Sequence, residues 1–274
     1  MQPFSEYLTD QYPQYRFLLP MIETFIGKQP EWTDLSKSNL LKIKKGFLET
    51  LSANTVRTYV SILKSTFNRA SEDVKIPCKD YETILNVRKE ASTSVYLSEE
   101  ELERLIRVAM KSKPERYVRT MFAIESFTGC RLSDAEKLTE SNIHGDRLTY
   151  VSIKTKTEAT VPLKPIVREL LEQLKTLKPV TTAAFDRIIK RLCFRANIRQ
   201  EEKVFRGGKD ISLPKYLLVS SHTARRTFAT NLYLRGLDLY AISKYMGHSS
   251  ITMSEGYICS GMVDIDEKIK TYFK

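Results

Sequence analysis

The chain has 274 residues with 44 Lys+Arg against 33 Asp+Glu, a formal net charge of +11. At 42% apolar and 10% aromatic residues it can bury one large core or two ordinary ones, which excludes whole-chain disorder and fibrous repeats. Phe17–Ile26 is too short, and too interrupted by Pro20 and Glu23, for the ~18 apolar residues of a membrane span. Glu6 and Asp10 sit where a secretion signal carries positive charge, so a cytoplasmic protein without a membrane partner is expected. Cys78, Cys130, Cys193 and Cys259 lie far apart, with no CxxC pair and no histidine at ligand spacing, so neither a disulfide framework nor a metal site is expected.

In chain order, a helix is predicted over Gln14–Ile26 and another over Asn39–Leu51, the latter with a basic patch at Lys42, Lys44 and Lys45. Val56, Val60, Leu63 and Phe67 share one face of a third helix, with Arg57, Lys64 and Arg69 projecting elsewhere. That basic side either is simply solvated or tracks a phosphate backbone. The polar stretch Asn86–Val95 reads as a linker, with a domain boundary near Thr93. Residues 1–92 hold 13 basic and 11 acidic side chains, a net of +2, and residues 93–274 hold 31 against 22, a net of +9.

Beyond the boundary, Ser98-Glu-Glu-Glu101 is a capping box with Leu97 and Leu102 as its staple, and Leu102, Leu105, Ile106 and Ala109 supply a buried face. An apolar helix over Arg119–Thr128 ends at Gly129, and Ser133–Glu136 reads as a second capping box, which places Arg131 in a tight turn between two helices. Arg147–Ile153 alternates Leu148, Tyr150 and Ser152 with Thr149, Val151 and Ile153, and pairs with Thr160–Leu163 across a turn at Lys154–Ala159. Three more helices are predicted, at Lys164–Leu177, Ala183–Ala196 and Thr223–Arg235, with Lys203–Lys215 as a mobile loop. At the end, Ile265, Ile269 and Phe273 form an apolar stripe at helical spacing. The fold class expected is mainly α with a small β-sheet: a helical bundle over 1–92, then a mixed domain over 93–274.

Four local patterns stand out: Thr128-Gly-Cys-Arg-Leu-Ser-Asp134, Lys154-Thr-Lys-Thr-Glu-Ala-Thr-Val-Pro162, His222-Thr-Ala-Arg-Arg226, and Gly247-His248 followed by Tyr257. Each alone has a bland reading. Arg131 could bridge Asp134, Lys154 and Lys156 could be solvated turn charges, and Tyr257 a half-buried aromatic. In this order, however, they resemble the tyrosine recombinase, or phage integrase, family, over the whole second part and more weakly over the first. The resemblance puts the first catalytic arginine on Arg131, with Asp134 at the acidic position. It puts the hairpin lysine on Lys154 with Lys156 as the alternative, the HxxR pair on His222 and Arg225, the GH histidine on His248, and the nucleophile on Tyr257. Arg226 stands where the family often has histidine, and Met253-Ser254 replaces a threonine-rich step.

These residue types suit transesterification at a DNA phosphate. Two guanidiniums can fork onto the non-bridging oxygens, and a phenol, whose reference pKa is about 10, needs a cationic setting and a proton acceptor. His222 is the expected acceptor, His248 a hydrogen-bond donor to the phosphate, and Lys154 the acid for the leaving 5′ oxygen. A covalent phosphotyrosine conserves the energy of the broken bond, so no cofactor is expected. The resemblance further implies double-stranded DNA as partner and a homotetramer on DNA, with possible exchange of the C-terminal helix, in a bacterial or phage-encoded protein associated with the nucleoid. Lys42, Lys44, Lys45, Arg57, Lys64, Lys156 and Arg226 are candidates for contacts to DNA. A type IB topoisomerase-like enzyme and a non-catalytic DNA-binding regulator are the alternatives.

Overall fold

The computed structural model describes residues 2–90, 94–206 and 209–259, side chains excepted at 205, 206 and 209. Among the described residues the chain is mainly helical with two small antiparallel sheets. Among the described residues one compact unit holds those up to 90, and another holds 94–204 and those from 210 onward.

The first unit is built on helices Phe4–Gln11, Leu18–Ile26, Lys37–Thr50 and Ala53–Ala70, with a short turn of helix at Tyr81–Ile84. Serines start the two long helices: the Ser36 and Ser52 hydroxyls accept from the Asn39 and Thr55 amides at 3.4 and 3.3 Å. Val56, Val60, Leu63 and Phe67 are all buried, in a core with Phe4, Leu8, Ile22, Ile43 and Phe47. The helix expected over Gln14–Ile26 is instead a 3-10 turn, Pro13–Tyr15, and then a helix that starts only at Leu18. Pro20 explains the break. Without an N–H it fits the first turn of a helix, whereas a helix running through from Gln14 would drive its ring into the Arg16 carbonyl. The helix Phe4–Gln11 is an addition to the sequence reading, since Phe4 and Leu8 are a single apolar pair, too short to show a period.

In the second unit, helix Glu99–Arg107 is capped as predicted. The Ser98 amide donates to Glu101 Oε2 at 2.8 Å, and the Glu101 amide donates to Ser98 Oγ at 3.3 Å. This helix ends at Arg107, so Ala109, expected on its buried face, lies exposed beyond it. Helix Lys113–Thr128 starts earlier than predicted and is the central element, packed by helices Pro165–Leu174, Thr182–Arg195 and Ser221–Leu234. Two short helices, Leu239–Tyr245 and Ile251–Glu255, follow.

The three-stranded sheet runs in the order Ile143–His144, Arg147–Val151, Glu158–Pro162, with Thr149 opposite Thr160 and Tyr150 opposite Ala159. Leu148, Tyr150 and Ser152 are buried while Val151 is exposed, as the alternation requires. The loop expected over Lys203–Lys215 is largely a second hairpin, Glu201–Arg206 with Lys209–Pro214. Two short segments close in sequence can pair, and these two strands are hydrogen-bonded neighbours. The boundary residue Thr93 and the apolar stripe Ile265, Ile269 and Phe273 lie outside the described residues. Among the described residues no helix is long and apolar enough to cross a membrane.

Gly129 ends the central helix at φ +68°, its amide bonded to the Glu125 carbonyl at 2.9 Å. A Cβ here would lie 2.4 Å from the Phe228 ring, itself buried. Gly129→Ala therefore combines left-handed strain with overpacking and is expected to cost of order 3 kcal/mol of stability, measurable by urea unfolding. A loss under ~0.5 kcal/mol would mean that the turn relaxes freely.

The next helix, Leu132–Ala135, begins directly at Arg131, with no side-chain cap. The capping box expected at Ser133–Glu136 thus does not form. Its acids are drawn into tertiary bonds instead: Asp134 Oδ1 accepts from the Ile153 amide at 2.9 Å, and Glu136 Oε1 from the Tyr117 hydroxyl at 2.8 Å.

Candidate active site

Arg131 leaves the turn after Gly129 and points at the hairpin. Its Nη1 donates to Ser152 Oγ at 2.8 Å and lies 3.9 Å from Asp134 Oδ2, with 12% of its side chain exposed. The same two residues carry the hairpin turn. The Ile153 amide is held by Asp134, the Ser152 amide donates to the Thr157 carbonyl at 2.9 Å, and Thr155 Oγ1 reaches the Gly247 carbonyl at 3.5 Å. Lys154 thus stands exposed between two anchored residues. Lys156 is also exposed, and it takes a left-handed φ of +54° to close the turn.

Helix Ser221–Leu234 brings the HxxR pair alongside. Asp186 Oδ1 accepts from the Ser221 amide at 2.9 Å and helps to anchor the helix start. Arg225 is fully buried. Its guanidinium donates to the Gly129 carbonyl, to the Met246 carbonyl at 3.2 Å and to His248 Nε2 at 2.9 Å, while its Nε has no partner. Arg225 is therefore the piece that joins the turn of Arg131 to the loop of His248.

His248 is 5% exposed, and its Nδ1 lies 2.8 Å from Ser254 Oγ. Burial, then Arg225 and Arg131, push its pKa down to about 4, so the ring is neutral near pH 7. His222 keeps an exposed face. Partial desolvation and the guanidiniums of Arg226, Arg225 and Arg131 hold its pKa below the usual histidine value, with Asp186 pulling the other way. A neutral imidazole ringed by cations is a proton acceptor. Half-buried Tyr257 lies with its ring centroid 5.1 Å from that of His248 and 5.2 Å from Arg225 Cζ. Its amide donates to the Ser254 carbonyl at 2.9 Å.

Two buried groups complete the surroundings. The Cys130 thiol is held against Thr128 Oγ1, and burial pushes its pKa up to about 12, so it offers no competing nucleophile. Glu125 has a carboxyl oxygen without a partner, and burial raises its pKa well above the usual value against the pull of Arg225.

Arg131, His222, Arg225, His248 and Tyr257 thus come together, with the Lys154 turn tied to their edge. Arg226, half-buried with an unpartnered Nε, lies close enough to His222 to depress its pKa. In the first unit, Lys42 and Lys45 are exposed, the latter 3.7 Å from Glu49, and Arg57 and Lys64 line a cleft of about 320 Å³. Lys44 differs: its ammonium donates to the Ile84 and Asn86 carbonyls at 2.9 and 2.8 Å, which gives it a fold-holding role. Sequence reasoning passes over Ser152 and Ser254. Ser152 continues the inward register of the strand Arg147–Val151, a detectable signal, whereas nothing local marks Ser254 as the partner of an imidazole.

The phage integrase family model matches residues 95–262. The chain is 25% identical to tyrosine recombinase XerD of Oceanobacillus iheyensis over 253 residues, 84% of this chain and 80% of that protein. It is 32% identical to the integrase of Haemophilus phage HP1 over 130 residues, 47% of this chain but only 33% of the phage protein's length. Its fold is similar to that of the Tn1549 transposon integrase, solved in complex with a circular intermediate DNA, at a TM-score of 0.68, 18% identity and coverage of 99% and 100% of the two chains. A family model that spans more than half of the chain, laid over four motifs that fold against one another, settles the question of kinship: the chain belongs to the phage integrase family of tyrosine recombinases.

Proposed function

We propose that this protein is a site-specific DNA recombinase that cuts and rejoins duplex DNA through a covalent 3′-phosphotyrosine on Tyr257. The supporting observation is the buried Arg225 guanidinium, which binds the Arg131 turn and His248 and lies against the Tyr257 ring. The Tyr257 oxygen attacks phosphorus and its proton passes to His222. Arg131 and Arg225 neutralise the non-bridging oxygens, and the 5′ oxygen leaves with a proton from Lys154. A free 5′-hydroxyl then attacks the phosphotyrosine to reseal. The bond energy is conserved throughout, so the chemistry calls for neither nucleotide nor metal.

Residues 1–92 act as a helical core-binding domain and 93–274 as the catalytic domain, both engaging double-stranded DNA. Lys42, Lys45, Arg57, Lys64, Lys156 and Arg226 contribute salt-sensitive contacts to the backbone. Four protomers exchange strands through a Holliday junction, coupled by exchange of the C-terminal segment with its Ile265, Ile269 and Phe273 stripe. The protein works in the cytoplasm on bacterial or phage DNA. The relatives described carry recombinase and integrase names, which favours strand exchange over topoisomerase-like relaxation or non-catalytic regulation.

A nicked suicide duplex built from the DNA that flanks the coding region tests the reading: an adduct followed by recombinant product is expected, and binding without an adduct would sink it. In the same assay Lys154→Ala should slow cleavage roughly 100-fold and recover on a substrate with a 5′-thiolate leaving group, which needs no acid. If Lys156→Ala alone behaves this way, the acid is Lys156.

A further inference from the structure

We propose that Ser254 is a positioning residue that lets His248 exchange one tautomer for the other, so that the ring accepts from Arg225 in the free protein and donates to phosphate on DNA. The inference rests on the recombinase reading above.

A guanidinium has donors only, so the 2.9 Å contact from Arg225 Nη2 makes His248 Nε2 an acceptor. The ring is neutral, so its proton is on Nδ1 and is donated to Ser254 Oγ at 2.8 Å. Ser254 is fully buried, and water does not compete for this bond. Nη2 is the Arg225 donor that faces His248, and when it turns to a phosphate oxygen on DNA the freed Nε2 faces anionic oxygen. Two acceptors then oppose each other unless Nε2 carries the proton. In that tautomer Nδ1 becomes the acceptor and needs a donor in the same place. The ring exchanges its Nδ1 proton for one at Nε2 with water admitted by local opening before the phosphate is seated, staying neutral overall.

Only a hydroxyl serves both states without moving: it accepts from Nδ1–H through a lone pair, then rotates to donate to bare Nδ1. A carboxylate in its place would lock the proton on Nδ1, and an alanine would leave Nδ1 unpaired in a dry site. Ser254 is well placed for this, because its backbone carbonyl also holds the Tyr257 amide at 2.9 Å, tying the ring that binds phosphate to the chain that bears the nucleophile.

The chain has three histidines, His144, His222 and His248, so side-chain ¹⁵N spectra can be assigned by single substitutions. The full chain without DNA should show His248 protonated at Nδ1, and Tyr257→Phe protein on the intact duplex should show it protonated at Nε2. Ser254→Ala should lose the Nδ1–H hydrogen-bond signature of the free protein and slow adduct formation roughly 10- to 100-fold with the Kd for DNA within twofold, and Ser254→Thr should restore both signature and rate. Unslowed cleavage by Ser254→Ala, an equal loss in Ser254→Thr, or an Nδ1–H ring on DNA in the protein with Ser254 intact would overturn the proposal. Absence of any adduct from the unsubstituted protein would instead overturn the recombinase reading.

Discussion

Tyr257→Phe should bind DNA as the unsubstituted protein does and form no covalent adduct at all. The substitution removes one oxygen and keeps the ring, so the contacts to His248 at 5.1 Å and Arg225 at 5.2 Å are retained. Those contacts are apolar or cation–π and need no hydroxyl. The fold and the affinity should therefore survive while the nucleophile disappears. Denaturing electrophoresis of a labelled suicide substrate reads the outcome directly. An adduct that persists in Tyr257→Phe would assign the nucleophile to another residue, and buried Cys130, with its raised pKa, would be a poor choice.

Arg225→Ala carries the second large effect, because this side chain has two duties. Loss of a preformed donor to a developing oxyanion costs about 10²- to 10³-fold in rate. The fold suffers as well. The Gly129 and Met246 carbonyls and His248 Nε2 all accept from this guanidinium inside the protein, and its removal leaves them without it. A destabilisation of about 3–5 kcal/mol is expected, typical of breaking a buried charged network, and thermal unfolding would show it.

Arg131→Ala should give a comparable rate loss by a different route. It releases Ser152 and leaves the buried Asp134 carboxylate with its bond to the Ile153 amide, so the turn that presents Lys154 loosens. Faster hydrogen exchange at the Ser152 and Lys156 amides, which bond the Thr157 and Ser152 carbonyls, would report it. An Arg225→Ala protein that unfolds normally and cleaves within tenfold of the unsubstituted rate would remove Arg225 from both roles.

Residue identities and local periods make a large part of this protein legible. The helix of Val56, Val60, Leu63 and Phe67 follows from their spacing, because a helix needs only its own apolar stripe to declare a face. The Ser98 capping box is equally local, with both bonds spanning three residues. The strand register that buries Ser152 is implicit in the alternation with Tyr150. Motif order points to the chemical groups, since phosphoryl transfer restricts which side chains can serve.

What the residues alone do not reveal depends on partners far away in the chain. The Ser133–Glu136 box has an ideal local spacing, yet Asp134 bonds Ile153 and Glu136 bonds Tyr117, because tertiary donors outcompete the helix's own amides. Lys44 reads as a surface charge until its carbonyl partners some forty residues on are known. Arg225 reads as a phosphate ligand, but its complete burial, and its bond to a carbonyl 96 residues away, emerge only when two helices and a loop pack together. The sequence by itself thus determined which groups are available for the chemistry and which helices carry them. Only the tertiary structure decided which acceptors each arginine holds at rest and which proton His248 carries, because a hydrogen bond is set by distance in space and not by separation along the chain.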